Sequence, residues 1–304
     1  MTAAEKLALL KNAKRVGMLF SGGGARCVFQ VGAVETLYEL GIRPAVCLGV
    51  SIGAWNAAAI AVGNLQRLRY YWEFFCRMPA LDLTNLFREH SPWIYARIHH
   101  RAYRRYVSNE RVLDPRTLPL FVGVTRLGDR APVVIDAKKV DDPFALFLAS
   151  NYLPPFFTHP VVLEGQRYVD GGYTNNIPYE ALFELGCDAV VLLGAKGESE
   201  GGLYRNPNDF DHVIPAPYRE RVVVIRPRHR LPLGFVERRW QKLKPFTDVG
   251  RLRAREVLLG ERHPETDVSA GGPALTVRAS RLWRLVKTLT RGGPAPQPQP
   301  SDRS

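Results

Sequence analysis

The chain has no apolar stretch approaching 18 residues without a charge, so no membrane-spanning helix is expected. Its first residues do not read as a secretory signal, because Glu5, Lys6 and Lys11 interrupt an apolar run that is too short. Cysteine is scarce: four in 304 residues, Cys27, Cys47, Cys76 and Cys187, with no C-x-x-C pair. Their apolar contexts disfavour disulfides and a metal site and favour buried free thiols in a reducing, cytoplasmic compartment; no metal or cofactor is expected. The glycines at 22–24 are not followed by Gly-Lys-Ser/Thr, which disfavours a nucleoside-triphosphate loop. The G-x-G-x-x-G spacing also fails, because Cys27 stands at the third glycine. There are no internal repeats. Acidic residues are in deficit, 29 against 42 basic, for a formal charge of +13. That excess suits an anionic partner, a membrane surface or a nucleic acid, or else a soluble enzyme from a basic proteome.

With 46% hydrophobic residues the chain can bury a large core. One α/β domain over residues 1–278 is the simplest division, followed by a basic amphipathic helix at 279–291 and a proline-rich, disordered tail at 292–304. The organising stretch is Ser21 to Asn56. Val16–Phe20 reads as a buried strand stopped by glycines, and residues 25–40 as a helix stopped by Gly41. Ala45–Leu48 reads as a second strand. Strand, helix and strand this close form a right-handed unit with parallel strands, so both following loops open on one edge of the sheet. One loop is Gly22-Gly23-Gly24-Ala25-Arg26; the other is Gly49-Val50-Ser51-Ile52-Gly53.

Both loops carry chemistry. In the second, flanking glycines allow a sharp strand-to-helix turn that uncovers the Ser51 hydroxyl at a helix N-terminus. In the first, bare backbone N–H groups can converge on one point, as an oxyanion hole requires, and Arg26 adds a fixed positive charge. Either motif alone is common; the two on consecutive strands are far more specific.

Further along, residues 65–78 read as an aromatic helix, suited to core packing or to lining an acyl pocket, and residues 93–107 as a basic helix with Arg97, Arg101, Arg104 and Arg105 on one stripe. Strands are expected at 120–124 and 133–135, a short helix at 143–149, and a hairpin from 161–163 and 167–169. Two more buried strands, 189–193 and 221–225, flank a polar loop expected to be mobile. A core helix closes the domain at 248–259, and Arg281, Arg284, Lys287 and Arg291 would form a second basic stripe.

A serine nucleophile needs a base. The seven histidines, His90, His99, His100, His159, His212, His229 and His263, sit in no telling context, although a Ser-Asp-His order could be assembled with His212 or a later one. Asp170 follows a strand and precedes Gly171 and Gly172, which also suits a plain turn.

Taken together, Gly22–Arg26, Gly49–Gly53 with Ala54, and Asp170-Gly171-Gly172 with Asn176-Ile177-Pro178 resemble the patatin-like phospholipases. The likeness extends to Ala149-Ser150 and the Pro154-Pro155-Phe156-Phe157 loop, and spans roughly residues 15–195. It implies a three-layer α/β/α fold with a mostly parallel sheet and a Ser51–Asp170 dyad without histidine. In that dyad Ser51 is the nucleophile, Asp170 takes its proton, and the Gly22–Gly24 loop with Arg26 holds the oxyanion. The implied substrate is a phospholipid or other acyl lipid, with peripheral contact to an anionic membrane and no nucleic acid. Cys27 departs from the family pattern, which has glycine there. Two other readings stand beside this one: a Ser-His-Asp esterase, and a lipid-binding module without turnover.

Overall fold

Val16–Phe20 (β1) and Val46–Val50 (β2) are buried throughout and pair in parallel, Gly17 opposite Val46 and Phe20 opposite Gly49. The computed structural model describes residues 1–267 apart from 64, 86–91, 154–159 and 205–211. The basic helix expected at 279–291, the tail, and the Pro154–Phe157 loop lie outside the described residues. The remaining strands are Leu120–Arg126 (β3), Pro132–Asp136 (β4), Val161–Leu163 (β5), Gln166–Asp170 (β6), Ala189–Leu193 (β7) and Val222–Ile225 (β8). They form one sheet in the order β5-β6-β3-β2-β1-β7-β8, with β4 also on β3. The pairs among β3, β2, β1, β7 and β8 are parallel, and those of β4, β5 and β6 antiparallel.

Alternate residues of each central strand feed two cores, as the twofold period of a strand dictates. Met18, Phe20, Cys47, Val191 and Leu193 face the larger core, and Leu19, Leu48, Val50, Val190 and Leu192 the smaller. The larger core receives the helices Phe29–Glu39, Ile52–Ala61, Leu65–Arg77 and Pro245–Leu259, and the smaller one Tyr179–Glu184. Helices on both faces of a mostly parallel sheet make the α/β/α sandwich. All ten residues of Ile52–Ala61 are buried, and a helix apolar all round belongs in an interior.

Two local expectations change. The helix expected from residue 25 opens as a 3-10 turn over Gly24–Val28 and becomes α-helical at Phe29. The turn is held from outside, since the Ala25 N–H donates to the Phe235 carbonyl at 2.9 Å. The loop between β7 and β8 sends Tyr204 and Ile214 into the smaller core. The basic helix runs Tyr95–Tyr106, and Arg97 does not belong to a free stripe, because Asp82 at 3.3 Å and Asn85 at 2.9 Å hold it.

Candidate active site

Strand register brings the two chemical loops' partners together. β2 pairs with β3 over residues 120–123, ending with Val50 opposite Gly123. β6 pairs with β3 over 124–126, ending with Asp170 opposite Val124. β4 pairs with 121–125, overlapping both, so β2 and β6 share the other edge of β3. β2 runs parallel to β3 and β6 antiparallel, so their C-terminal ends arrive nose to nose. Ser51, the residue after β2, and Asp170, the last of β6, therefore meet.

Ser51 has φ 55 and ψ −134, a conformation a residue with a side chain rarely adopts and one that costs about 1–3 kcal/mol. Neighbours hold it there. The Ser51 N–H donates to Ser150 Oγ at 2.7 Å, and the Ser150 hydroxyl donates to the Gly123 carbonyl at 2.7 Å. Asn151 Nδ2 donates to the Ser51 carbonyl at 2.9 Å, as does the Ala54 N–H. Close approaches explain the motif glycines. A Cβ at Gly53 would lie 2.4 Å from the Phe20 carbonyl oxygen, one at Gly49 2.5 Å from Ala54, and one at Gly22 2.7 Å from Ser51 Cβ. A Cβ at Gly171 would lie 2.4 Å from the Gly123 carbonyl oxygen. At Gly172 the demand is on the N–H, which donates to Asp170 Oδ1 at 2.7 Å.

The Ser51 side chain, lining the same cleft, favours the charged form of the Asp170 carboxylate. That carboxylate is buried in the cleft wall, and burial raises its pKa from the ordinary carboxylate range to about 7; the Ser51 side chain and the Gly172 N–H oppose this but do not cancel it.

The glycine loop is built differently from the expectation of three converging amides. The Gly22 N–H donates to Asn176 Oδ1 at 2.8 Å, and Asn176 Nδ2 donates back to the Gly22 carbonyl at 3.2 Å. Gly22 is therefore a fastening point. The N–H groups of Gly23 and Gly24 have no acceptor among the described residues. Arg26 Nε donates to the Gly23 carbonyl at 3.4 Å. In a trans peptide that carbonyl and the Gly24 N–H point opposite ways, so Arg26 sets the direction of the Gly24 donor. Gly24 lines a cleft with Ser51 and Asp170. Arg26 itself faces Glu200, 3.9 Å away. The Cys27 thiol is buried and donates to the Ser21 carbonyl at 3.3 Å, so this departure from the family pattern points into the core, away from the cleft.

Sequence reasoning picked out Ser150 and Asn176 by resemblance alone and missed the polar scaffold to which they belong. Besides Ser150, Asn151 and Asn176, it comprises Gln30, whose Nε2 holds the Ser21 and Leu193 carbonyls at 2.9 Å, and Asn56, which donates to Gln30 Oε1 at 2.7 Å. The available signal was a polar residue inside an apolar helical run, which must have a buried partner. Apolar side chains wall the cleft: Ile52, Trp72, Phe75, Leu153 and Phe235. Trp72 and Phe75 belong to the aromatic helix, which both packs in the core and lines the cleft. Among the described histidines, His99 lines the cleft. Its ring stacks on Trp55 at 4.7 Å, its Nδ1 faces Tyr71 Oη at 3.3 Å, and burial pulls its pKa down to about 3. His212 lies instead against Tyr179 and Tyr204.

A family model described as patatin-like phospholipase matches residues 18–183. The chain is 26% identical over 211 residues to patatin-like phospholipase domain-containing protein 7 of Rattus norvegicus, covering 65% of this chain and 15% of that protein. It is 27% identical over 194 residues to lysophospholipase nte1 of Aspergillus terreus, covering 59% of this chain and 12% of that protein. The chain thus spans about a seventh of these relatives' length. Among solved structures, VipD from Legionella pneumophila superposes with a TM-score of 0.48 at 11% identity, covering 91% of this chain and 75% of that one.

Proposed function

This chain belongs to the patatin-like phospholipase family, and from that membership we propose that it is a lipid acyl hydrolase working through a Ser51–Asp170 dyad. The observation that carries the proposal is that strand register and one apolar cleft bring Ser51 and the buried Asp170 carboxylate together. Ser51 Oγ attacks the ester carbonyl as Asp170 takes its proton. The carbonyl oxygen, now negative, is held by the Gly23 and Gly24 N–H groups, with Arg26 fixing the second. Asp170 returns the proton to the departing alcohol oxygen, leaving an acyl group on Ser51. Water attacks that ester, with Asp170 again accepting the proton; Asp170 then gives it to Ser51 Oγ as the bond to the acyl group breaks, and the fatty acid leaves.

The raised pKa of Asp170 serves this scheme. A carboxylate near its ordinary value of about 3.9 is a poor base for a serine, whereas a base near neutrality is better matched to proton transfer at working pH. Ser51 and Asp170 share the cleft, and the described histidine that lines it, His99, is turned to Trp55 and Tyr71, which favours the dyad over the Ser-His-Asp reading. Reaction with a fluorophosphonate probe should label the peptide containing Ser51. Ser51→Ala should abolish labelling and ester hydrolysis with the circular dichroism spectrum unchanged; turnover by the folded variant would refute the assignment.

The proposal includes contact with an anionic membrane. Arg101, Arg104 and Arg105 are exposed on the Tyr95–Tyr106 helix, and none has a carboxylate partner within ion-pair distance among the described residues. Phe235 and Val236, which line the cleft, are 44% and 42% exposed. Basic side chains near an anionic leaflet contribute about 1 kcal/mol each, and exposed apolar ones can enter the headgroup region.

A further inference from the structure

Three buried side chains form a hydrogen-bonded line from the wall of the cleft to the head of the glycine loop. Trp72, on the Leu65–Arg77 helix, lines the cleft with Ser51 and Asp170, and its indole N–H donates to Asn56 Oδ1 at 2.9 Å. Asn56, on the helix that follows Ser51, donates from Nδ2 to Gln30 Oε1 at 2.7 Å and to the Cys27 carbonyl at 3.2 Å. Gln30 Nε2 in turn donates to the Ser21 and Leu193 carbonyls, both at 2.9 Å.

The direction of this line is fixed at both ends. An indole N–H can only donate and a backbone carbonyl can only accept, so each amide between them has one orientation that satisfies its neighbours. Turning either amide over would set donor against donor or acceptor against acceptor, and an unpaired polar group is costly in a dry interior. The Ser21 carbonyl is the end that bears on the chemistry. In a trans peptide it points opposite to the Gly22 N–H, which Asn176 holds at 2.8 Å, so Gln30 on one side and Asn176 on the other fix the plane from which the Gly23 and Gly24 donors start. The Cys27 thiol also reaches the Ser21 oxygen, at 3.3 Å, but is a weak donor. There is little room for adjustment, since a Cβ on Gly53 would lie 2.5 Å from that oxygen.

Building on the hydrolase reading above, we infer that the Trp72 N–H is a positioning group for the oxyanion loop, acting through Asn56 and Gln30. The Trp72 ring walls the cleft while its N–H orients the loop, so the surface that meets the acyl chain and the loop that meets the developing charge are one hydrogen-bonded unit. Without that donor the Asn56 oxygen is bare, the two amides are free to turn, and the Ser21 carbonyl loses its hold.

Trp72→Phe keeps an aromatic wall and removes the donor. On p-nitrophenyl decanoate its kcat should fall by about 10–10²-fold with KM within about twofold of the parent, the pattern of a displaced group that acts in the transition state. A pair of inhibitors separates positioning from packing. Decyl trifluoromethyl ketone is attacked by Ser51 Oγ, whose proton passes to Asp170, and its carbonyl oxygen becomes the anion that the loop holds. The matching alcohol fills the cleft but cannot form that adduct. Trp72→Phe should bind the ketone about 10–10²-fold more weakly and the alcohol as the parent does. Equal losses for ketone and alcohol would make Trp72 a wall alone, and unchanged ketone affinity would cut its link to the loop; either result overturns the inference. Should Trp72→Phe not fold, β-(3-benzothienyl)alanine at position 72 decides, because it has the shape of tryptophan and no N–H. It should reproduce the selective loss of ketone binding; parent-like binding, or failure of this isostere to fold, would assign the N–H to the core instead. A parent that does not hydrolyse p-nitrophenyl decanoate would refute the hydrolase reading itself.

Discussion

Replacing the proposed base should make the protein more stable at alkaline pH while destroying its activity. Asp170 is buried, and its pKa in the folded chain is raised to about 7, against about 3.9 in an unfolded chain. Below pH about 4 both states hold the proton. Between about 4 and 7 the unfolded chain releases it and the folded one keeps it, so the folded state binds more protons and stability falls as pH rises. Above about 7 both are ionised and the loss is complete. Three pKa steps at about 1.4 kcal/mol each make it about 4 kcal/mol. Asp170→Asn keeps the shape and an oxygen for the Gly172 N–H but never ionises, so it escapes this penalty. At about 2–4 °C per kcal/mol, the melting temperature of Asp170→Asn relative to the parent should climb by about 10 °C between pH 4.5 and pH 8.5. Differential scanning calorimetry of both proteins across that range reads it directly, since other titrating groups cancel in the difference. Turnover should meanwhile fall by about 10²–10⁴. A melting difference that does not change with pH, or an Asn variant less stable than the parent at pH 8.5, would refute the argument that Asp170 is held against its own desolvation.

Three further outcomes follow from the same geometry. In Ser150→Ala the Ser51 N–H loses its buried acceptor, so stability should drop by about 1–3 kcal/mol, and the misplaced nucleophile should lower kcat by about 10–10²; unchanged kcat would show that the strained turn holds itself. For the parent, log kcat/KM on a soluble ester should rise with pH and level off near pH 7 as Asp170 ionises; a limb centred near 4 would mean that the carboxylate is ordinarily solvated. The protein should sediment with phosphatidylglycerol vesicles at low salt and release at high salt. Changing Arg101, Arg104 and Arg105 to Gln should weaken that binding, and equal binding would remove this helix from the membrane surface.

By itself the sequence determined the strands and the turns. Val16–Phe20, Val46–Val50 and Ala189–Leu193 are short apolar runs between glycines and polar residues, and their burial needs no knowledge of distant chain. The Ser51 turn was legible for the same reason, since its glycines answer contacts within a few residues and with the adjacent strand. Asp170 was visible as a residue after a strand, but its role came from resemblance. What unites it with Ser51 is that β2 and β6 end head to head on one edge of β3, a pairing across more than a hundred residues that no local periodicity records. Tertiary structure alone likewise decided that Gly22 is fastened by Asn176, that Ser150 braces Ser51, and that Arg97 is bound by Asp82 and Asn85. It also placed Arg238, unremarkable among the basic residues of its segment, in the wall of the cleft. The physical reason is common to these cases: hydrophobic patterning reports which face of an element is buried, whereas the partner of a buried polar group is chosen by how elements far apart in the chain are packed.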